Sequence, residues 1–258
     1  MTVTIEGSTG APSTPSIDPD EVAKFSAMAA DWWNPRGKFR PLHKFNPVRL
    51  RFIRETAEQH FGLATGLKEP LKGLRLLDIG CGGGLVCEPM TRLGAAVTGV
   101  DASEKNIKTA MTHAREQGLD IDYRVGTAEG LIDGGEAQFD IVLNLEVVEH
   151  VADPHAFLKD TASLVKPGGL MIVATLNRTA KALATAVIGA EYVLGWLPRG
   201  THDWSKFVTP DEATAGLKAA GMDVEPSIGV SYSPLSDSWK ISRDTKVNYM
   251  IVARRPAE

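Results

Sequence analysis

From residue 74 onward, short apolar runs alternate with stretches of helical spacing. LRLLDI (74–79), AAVTGVD (95–101), IDYRV (121–125), FDIVLNL (139–145) and GLMIVATL (169–176) each read as a strand. Strands covered on both faces lose the polar alternation of a half-exposed sheet and become nearly continuous apolar runs. Helical stretches near 84–93, 103–117 and 154–165 fall between them. Strands alternating with helices predict a doubly wound, mostly parallel α/β sheet with helices on both faces. A long apolar helix (178–197), a loop (198–209), a helix (210–220) and strands near 222–230 and 247–254 complete a sheet of seven strands. Upstream, Val22, Phe25, Met28, Ala29 and Trp32 follow helical spacing, with Asp18 or Asp20 as cap, and predict a helix to about Trp33. NPRGKFRPLHKFN (34–46) reads as a loop with five basic or His side chains. A second helix is predicted from Pro47, where a missing N–H costs nothing, to Phe61. Residues 1–17, rich in Ser, Thr, Gly and Pro, are expected to be a disordered tail. The rest reads as one domain: helices in 18–66, a core in 74–176 and an insertion in 177–209.

Composition narrows the class. The 258 residues are 43% hydrophobic and 23% charged, which excludes a disordered chain and allows a large core. A formal charge of −4 argues against a nucleic-acid surface. Cys81 and Cys87 lack the spacing of a zinc site or a disulfide framework and suit a reducing compartment as packing residues. No basic start followed by an apolar segment marks a secretory signal, and no apolar run approaches the roughly 20 residues of a bilayer span. A cytoplasmic location is therefore expected.

The most informative stretch is LLDIGCGGGLV (76–86). Glycines open a helix directly after a strand, at the edge where open parallel sheets bind ligands. A nicotinamide fingerprint needs G-x-G-x-x-G, but Leu85 stands where its last glycine belongs. Asp78 opposes a pyrophosphate, which seeks N–H groups and positive charge. A carboxylate there suits a cationic ligand, such as an amino group beside a sulfonium. Asp101 ends the second strand about 20 residues past the glycines, where a carboxylate accepts ribose hydroxyls.

These residues resemble the class I S-adenosylmethionine-dependent methyltransferases: LDIGCGGG their first motif, GVDAS the acidic end of their second strand, GTAEGL (126–131) their adenine contact. The flanks PLHKFNPVRL (41–50), TLNRTAKA (175–182), GAEYVLGWLPRGTHDWSKF (189–207) and VNYMI (247–251) resemble the ubiquinone-biosynthesis O-methyltransferase family over about 18–254. The resemblance implies S-adenosylmethionine as cofactor and polyprenylated phenols or catechols as substrates, methylated on ring hydroxyls at two steps. It also implies cofactor contacts at Arg49, Gly80, Asp101 and Leu145. Asp78 and Gly82 join them from the glycine loop, and Ala128 and Glu129 from the third-strand turn, where many superfamily members carry an Asp after the glycine and this chain has Thr127. Other readings are methylation of a different small phenol and a non-catalytic cofactor-binding scaffold in a biosynthetic complex.

Methyl transfer to a phenol must dispose of a proton whose reference pKa is about 10. Glu146, Glu149 and His150 stand at i, i+3 and i+4 and would share one face if a helical turn begins there. Two carboxylates and an imidazole suit Mg²⁺ with waters, and the resemblance associates Mg²⁺ with these three positions. Two further readings are His150 as direct base and a purely structural turn. His202 and Asp203 form a second polar candidate, while His43 in the basic loop reads as a surface residue. The insertion around 178–199 has Arg178, Lys181 and Arg199 as flanks and Tyr192 and Trp196 as interface side chains. It reads as a lid, or as a segment lying peripherally on an anionic membrane, the inner face of the cytoplasmic membrane. A ubiquinone-biosynthesis complex is a further expected partner.

Overall fold

The structure is a computed structural model, described here for residues 17–184, 203–233 and 237–257. Five strands run parallel: β1 (Arg75–Ile79), β2 (Ala96–Asp101), β3 (Asp122–Val125), β4 (Phe139–Leu145) and β5 (Val165–Leu176). The two-residue strand β6 (Asp223–Val224), β7 (Ile228–Ser233), β8 (Ser238–Ser242) and β9 (Asn248–Arg254) follow. The order is β3-β2-β1-β4-β5-β9-β7-β8, with β6 also paired to β9. β9 lies antiparallel between β5 and β7. The strand order reverses between β1 and β4, so the crevice beyond their carboxyl ends is the expected ligand site.

Successive side chains on a strand point to opposite faces. Leu76, Ile141 and Leu143 therefore pack on one side of the sheet with Ile53 and Met90, while Leu77, Val142 and Phe157 pack on the other. Helices α3 (Cys87–Arg92), α4 (Glu104–Glu116), α5 (Ala128–Asp133), α6 (Pro154–Ser163), the three-residue α7 (Ala180–Ala182) and α8 (Pro210–Ala219) flank the strands. Two helices precede them: α1 (Pro19–Ser26), capped by Asp18, and α2 (Arg40–His60).

Several boundaries differ from the sequence reading. The first helix stops at Ser26, and a 3₁₀ turn at Ala29–Asp31 carries the chain toward Trp32. α2 begins at Arg40, inside the expected loop, with Pro41 in its first turn and Pro47 in its interior. The missing N–H of Pro47 loses one helical bond, yet the buried stripe Phe45, Arg49, Ile53 and Ala57 runs unbroken past it. The sheet has nine strands because Pro226 interrupts the expected 222–230 strand, giving β6 and β7, and because the polar SWKIS segment forms β8. Ile17, placed in the expected tail, bridges Val151; residues 1–16 lie outside the described residues, as do 185–202, which hold most of the expected insertion helix and His202. Among the described residues no helix is long and apolar enough to cross a membrane.

Candidate active site

The chain after β1 turns through Gly80, Gly82 and Gly84 at φ of +70°, +54° and +87°, a region L side chains rarely adopt. The glycines also make room for protein. A Cβ at Gly82 would lie 2.3 Å from the Trp32 ring, and one at Gly83 would lie 2.4 Å from it. Trp32 stacks on Phe39 with centroids 3.7 Å apart and donates Nε1 to Asn106 Oδ1 at 2.9 Å. Trp33 donates to the Gly83 carbonyl at 2.8 Å. The 27–39 segment thus clamps the loop from outside, and His43, bonded to the Trp32 carbonyl at 2.8 Å, braces it.

Beyond the loop lies a cavity of about 830 Å³, near the top of the range for small-molecule sites. Arg49, Asp78, Gly80, Gly82, Asp101, Ala128 and Leu145 all line it. Asp101 Oδ1 accepts from the Ser103 amide at 2.8 Å and Asn106 Nδ2 at 3.1 Å, and its Oδ2 accepts from the Gly82 amide at 2.9 Å. The side chain that ends β2 therefore fixes the glycine loop as well as facing the cavity. Burial raises its pKa against those three donors. Asp78 is almost fully buried, and that burial pushes its carboxyl up to about 7 despite the Cys87 thiol and the Arg49 charge. Arg49 is equally buried; burial lowers its pKa, while Glu146 and Asp78 oppose that shift. Its guanidinium lies 4.9 Å from the Phe45 centroid, NH2 donates to Asn46, and Nε has no partner. A buried arginine and buried carboxylates around a glycine turn fit a zwitterion that carries an extra positive charge and a ribose. Thr127 caps α5, leaving the Ala128 amide at the helix start beside the cavity. Cys81 and Cys87 are free and buried, and burial raises the thiol of Cys81 to about 11.

Glu129 and the turn after β4 sit differently from what spacing alone predicts. Glu129 does not line the cavity; its charge, after burial, helps raise the pKa of Asp160 on α6. The Glu146, Glu149 and His150 set does not share one helical face. Glu146 takes φ +56°, and Val148–His150 form a 3₁₀ turn, so the i, i+3, i+4 geometry of an α-helix is absent. Glu146 and His150 line the cavity, whereas Glu149 points behind the wall and accepts from Thr175 Oγ1 at 2.7 Å. Burial and the nearby Glu146 charge push Glu149 up to about 8. Among the described residues no three His, Cys, Asp or Glu side chains are gathered as a metal site. The second carboxylate oxygen of Glu149, Oε1, is buried without a hydrogen-bond partner.

One side chain beside the cavity was not among the sequence candidates. Glu21, in the first turn of α1, lies 2.9 Å from His150 Nδ1 through its Oε2 and 3.0 Å from Lys24 through Oε1. Burial opposes its ionisation, but His150 and Lys24 outweigh burial and hold it at about 2. In sequence Glu21 is indistinguishable from an ordinary acidic residue at a helix N-terminus. Asp203 caps the Trp204–Lys206 turn through the Ser205 amide at 2.9 Å, a structural role.

A Rossmann-like sheet with an antiparallel β9 beside β5, a glycine turn preceded by Asp78 and followed by Leu85, and an acidic end to β2 together point to the class of S-adenosylmethionine-dependent methyltransferases. A family model described as "Methyltransferase domain" matches residues 77–173. Magnesium protoporphyrin IX methyltransferase from Synechocystis with bound SAH shares the fold at TM-score 0.65 and 20% identity, covering 92% of this chain and 100% of that one. An S-adenosylmethionine-dependent methyltransferase from Clostridium acetobutylicum does so at TM-score 0.59 and 13% identity, covering 91% and 99%. The ubiquinone biosynthesis O-methyltransferase of Maricaulis maris is 63% identical over 97% of this chain and 99% of its own. That of Parvibaculum lavamentivorans is 64% identical over 93% and 94%. The chain belongs to the ubiquinone biosynthesis O-methyltransferase family.

Proposed function

We propose that the protein transfers the methyl group of S-adenosylmethionine to ring hydroxyls of polyprenylated phenol and catechol intermediates in ubiquinone biosynthesis, at both O-methylation steps. The observation that carries the site assignment is the single cavity wall that holds Arg49, Asp78 and Asp101 together with Glu146 and His150. Bound there, S-adenosylmethionine supplies a methyl group on a sulfonium whose leaving group is a neutral thioether.

Asp78 holds the ammonium end, Arg49 the carboxylate and Asp101 the ribose, and the Ala128 amide faces the adenine. Held in this way, the donor needs only an acceptor oxygen in line, and alignment supplies much of the rate. His150 takes the phenolic proton. Glu21 fixes the ring through Nδ1 and stabilises the imidazolium that forms, as a carboxylate does for any histidine base. Val22 and Phe25 of α1 close the same wall and keep water from the reacting oxygen. As the alternative to His150 as base, Mg²⁺ would be held by Glu146, Glu149 and His150 with waters completing the shell, and would polarise the phenol oxygen.

The test is methyl transfer by the purified protein to a prenylated catechol, followed by mass spectrometry, with and without chelator. Methylated catechol and S-adenosylhomocysteine in equal amounts support the proposal. Absence of product with tight cofactor binding favours the scaffold reading. Loss of product only with chelator restores the metal reading. Peripheral attachment to anionic membranes, association with a biosynthetic complex and a cytoplasmic location belong to the same proposal. They are read by vesicle co-sedimentation, by co-purification and by fractionation of cells.

A further inference from the structure

The β7–β8 hairpin overhangs the carboxyl edge of the parallel sheet. Leu176, the last residue of β5, pairs with Asn248, while Gly229 of β7 already pairs with Tyr249. The rest of β7 therefore extends past the level where β5 ends. Val230 pairs with Ile241 and Tyr232 with Trp239, so alternation puts these four on one face. Ser231, Ser233, Ser238, Lys240 and Ser242 take the other, where the Ser231 and Ser242 hydroxyls meet at 2.8 Å.

The apolar face is tied in place. Trp239 packs against Phe45 of α2 with centroids 5.1 Å apart and against Tyr232 at 5.3 Å. Lys44 on α2 pairs with Asp237, which also accepts from the Tyr232 hydroxyl. Val230, Tyr232 and Trp239 line the same cavity as Asp101 and His150. The Tyr232 hydroxyl is engaged by Asp237, and the hydroxyl of Ser231, which also lines the cavity, by Ser242, so ring surface is the main contribution of this part of the wall.

Strand order sets the distance from the chemistry. Glu146 and His150 follow β4, and the path β4-β5-β9-β7-β8 places β7 three steps and β8 four steps away. At about 4.8 Å per step these are roughly 14 and 19 Å. A bare catechol ring held at β4 does not span that distance, whereas an apolar chain attached to the ring does. We propose that the hairpin selects tailed substrates, with Tyr232 and Trp239 as the bed for the first prenyl units. This rests on the O-methyltransferase reading of the site.

The experiment compares the wild type with Trp239→Ala and Tyr232→Ser on a catechol carrying three prenyl units and on the same catechol carrying none. Melting temperature and S-adenosylmethionine affinity are measured for each protein. The expected result is a fall of about tenfold or more in the ratio of kcat/KM for tailed over tail-free substrate, the scale of a lost apolar contact in a specificity pocket. A Trp239→Phe variant is expected to recover most of that ratio. Equal losses on both substrates, or an unchanged ratio, overturn the proposal. A wild type that methylates neither substrate overturns the O-methyltransferase reading itself, and the proposal with it.

Discussion

Asp78→Asn tests the electrostatics of the cofactor site most directly. Without ligand, burial moves the Asp78 carboxyl from its ordinary 3.8 to about 7, against the pull of Cys87 and Arg49. The folded chain then binds this proton more tightly than the unfolded chain does. Its contribution to stability is lost as pH rises from about 4 to about 7 and is flat above that. A shift of about three units at roughly 1.36 kcal/mol each is on the order of 4 kcal/mol. Asn does not ionise, so this part of the pH slope disappears, while the separate slope from Glu149 remains in both proteins. Near pH 8 the variant is expected to be about 2–4 kcal/mol more stable than the wild type, the lower figure allowing for imperfect hydrogen bonding of the Asn amide in the buried site. At about 2–4 °C per kcal/mol for a chain of this size, the melting temperature rises by roughly 5–15 °C. Near pH 5 the gain falls to roughly a third of that figure, and below about pH 4 it vanishes. The same change removes the anion facing the bound cation, so S-adenosylmethionine affinity falls by roughly 100-fold. Wild-type affinity itself rises with pH up to about 7, because the cationic ligand favours ionised Asp78 and releases its proton. Urea unfolding near pH 4, pH 5 and pH 8, with titration calorimetry in two buffers of different ionisation enthalpy, measures all of this. A variant no more stable than the wild type near pH 8, or wild-type binding that is flat with pH and proton-free, refutes the reasoning.

Asp101→Ala frees the Gly82 and Ser103 amides as well as the ribose site, and calorimetry should detect no S-adenosylmethionine binding; normal binding would overturn the site assignment. Glu21→Gln leaves cofactor affinity intact but removes the charge that supports imidazolium at His150, so kcat is expected to fall by about 10- to 100-fold; an unchanged kcat removes Glu21 as the group that supports the base. Gly82→Ala places a Cβ against Trp32 at a positive φ, and is expected to cost about 1–3 kcal/mol in urea unfolding; Trp32→Ala in the same chain should recover only the steric part.

Apolar runs and glycine turns are local signals, so the parallel strands, the loop at Gly80–Gly84 and the carboxylate ending β2 were legible from the sequence. Asp78 was legible for the same reason: a charge two residues before a glycine turn has one place to point in a strand-to-helix junction. Tertiary packing decided what local pattern does not encode. α2 starts at Arg40 because the burial of Phe45 outweighs the helix bond lost at Pro47. A polar segment became β8 because its Trp239 packs on Phe45. Glu146 and His150 face the cavity while Glu149 does not, since a left-handed residue and a 3₁₀ turn replace the α-helical turn that spacing assumes. The Glu21–His150 pair joins residues 129 positions apart, and Trp32 reaches the glycine loop from well upstream of β1 in the chain. Periodicity constrains neighbours within one element, whereas contacts of that separation form only when the whole sheet and its flanking helices are in place.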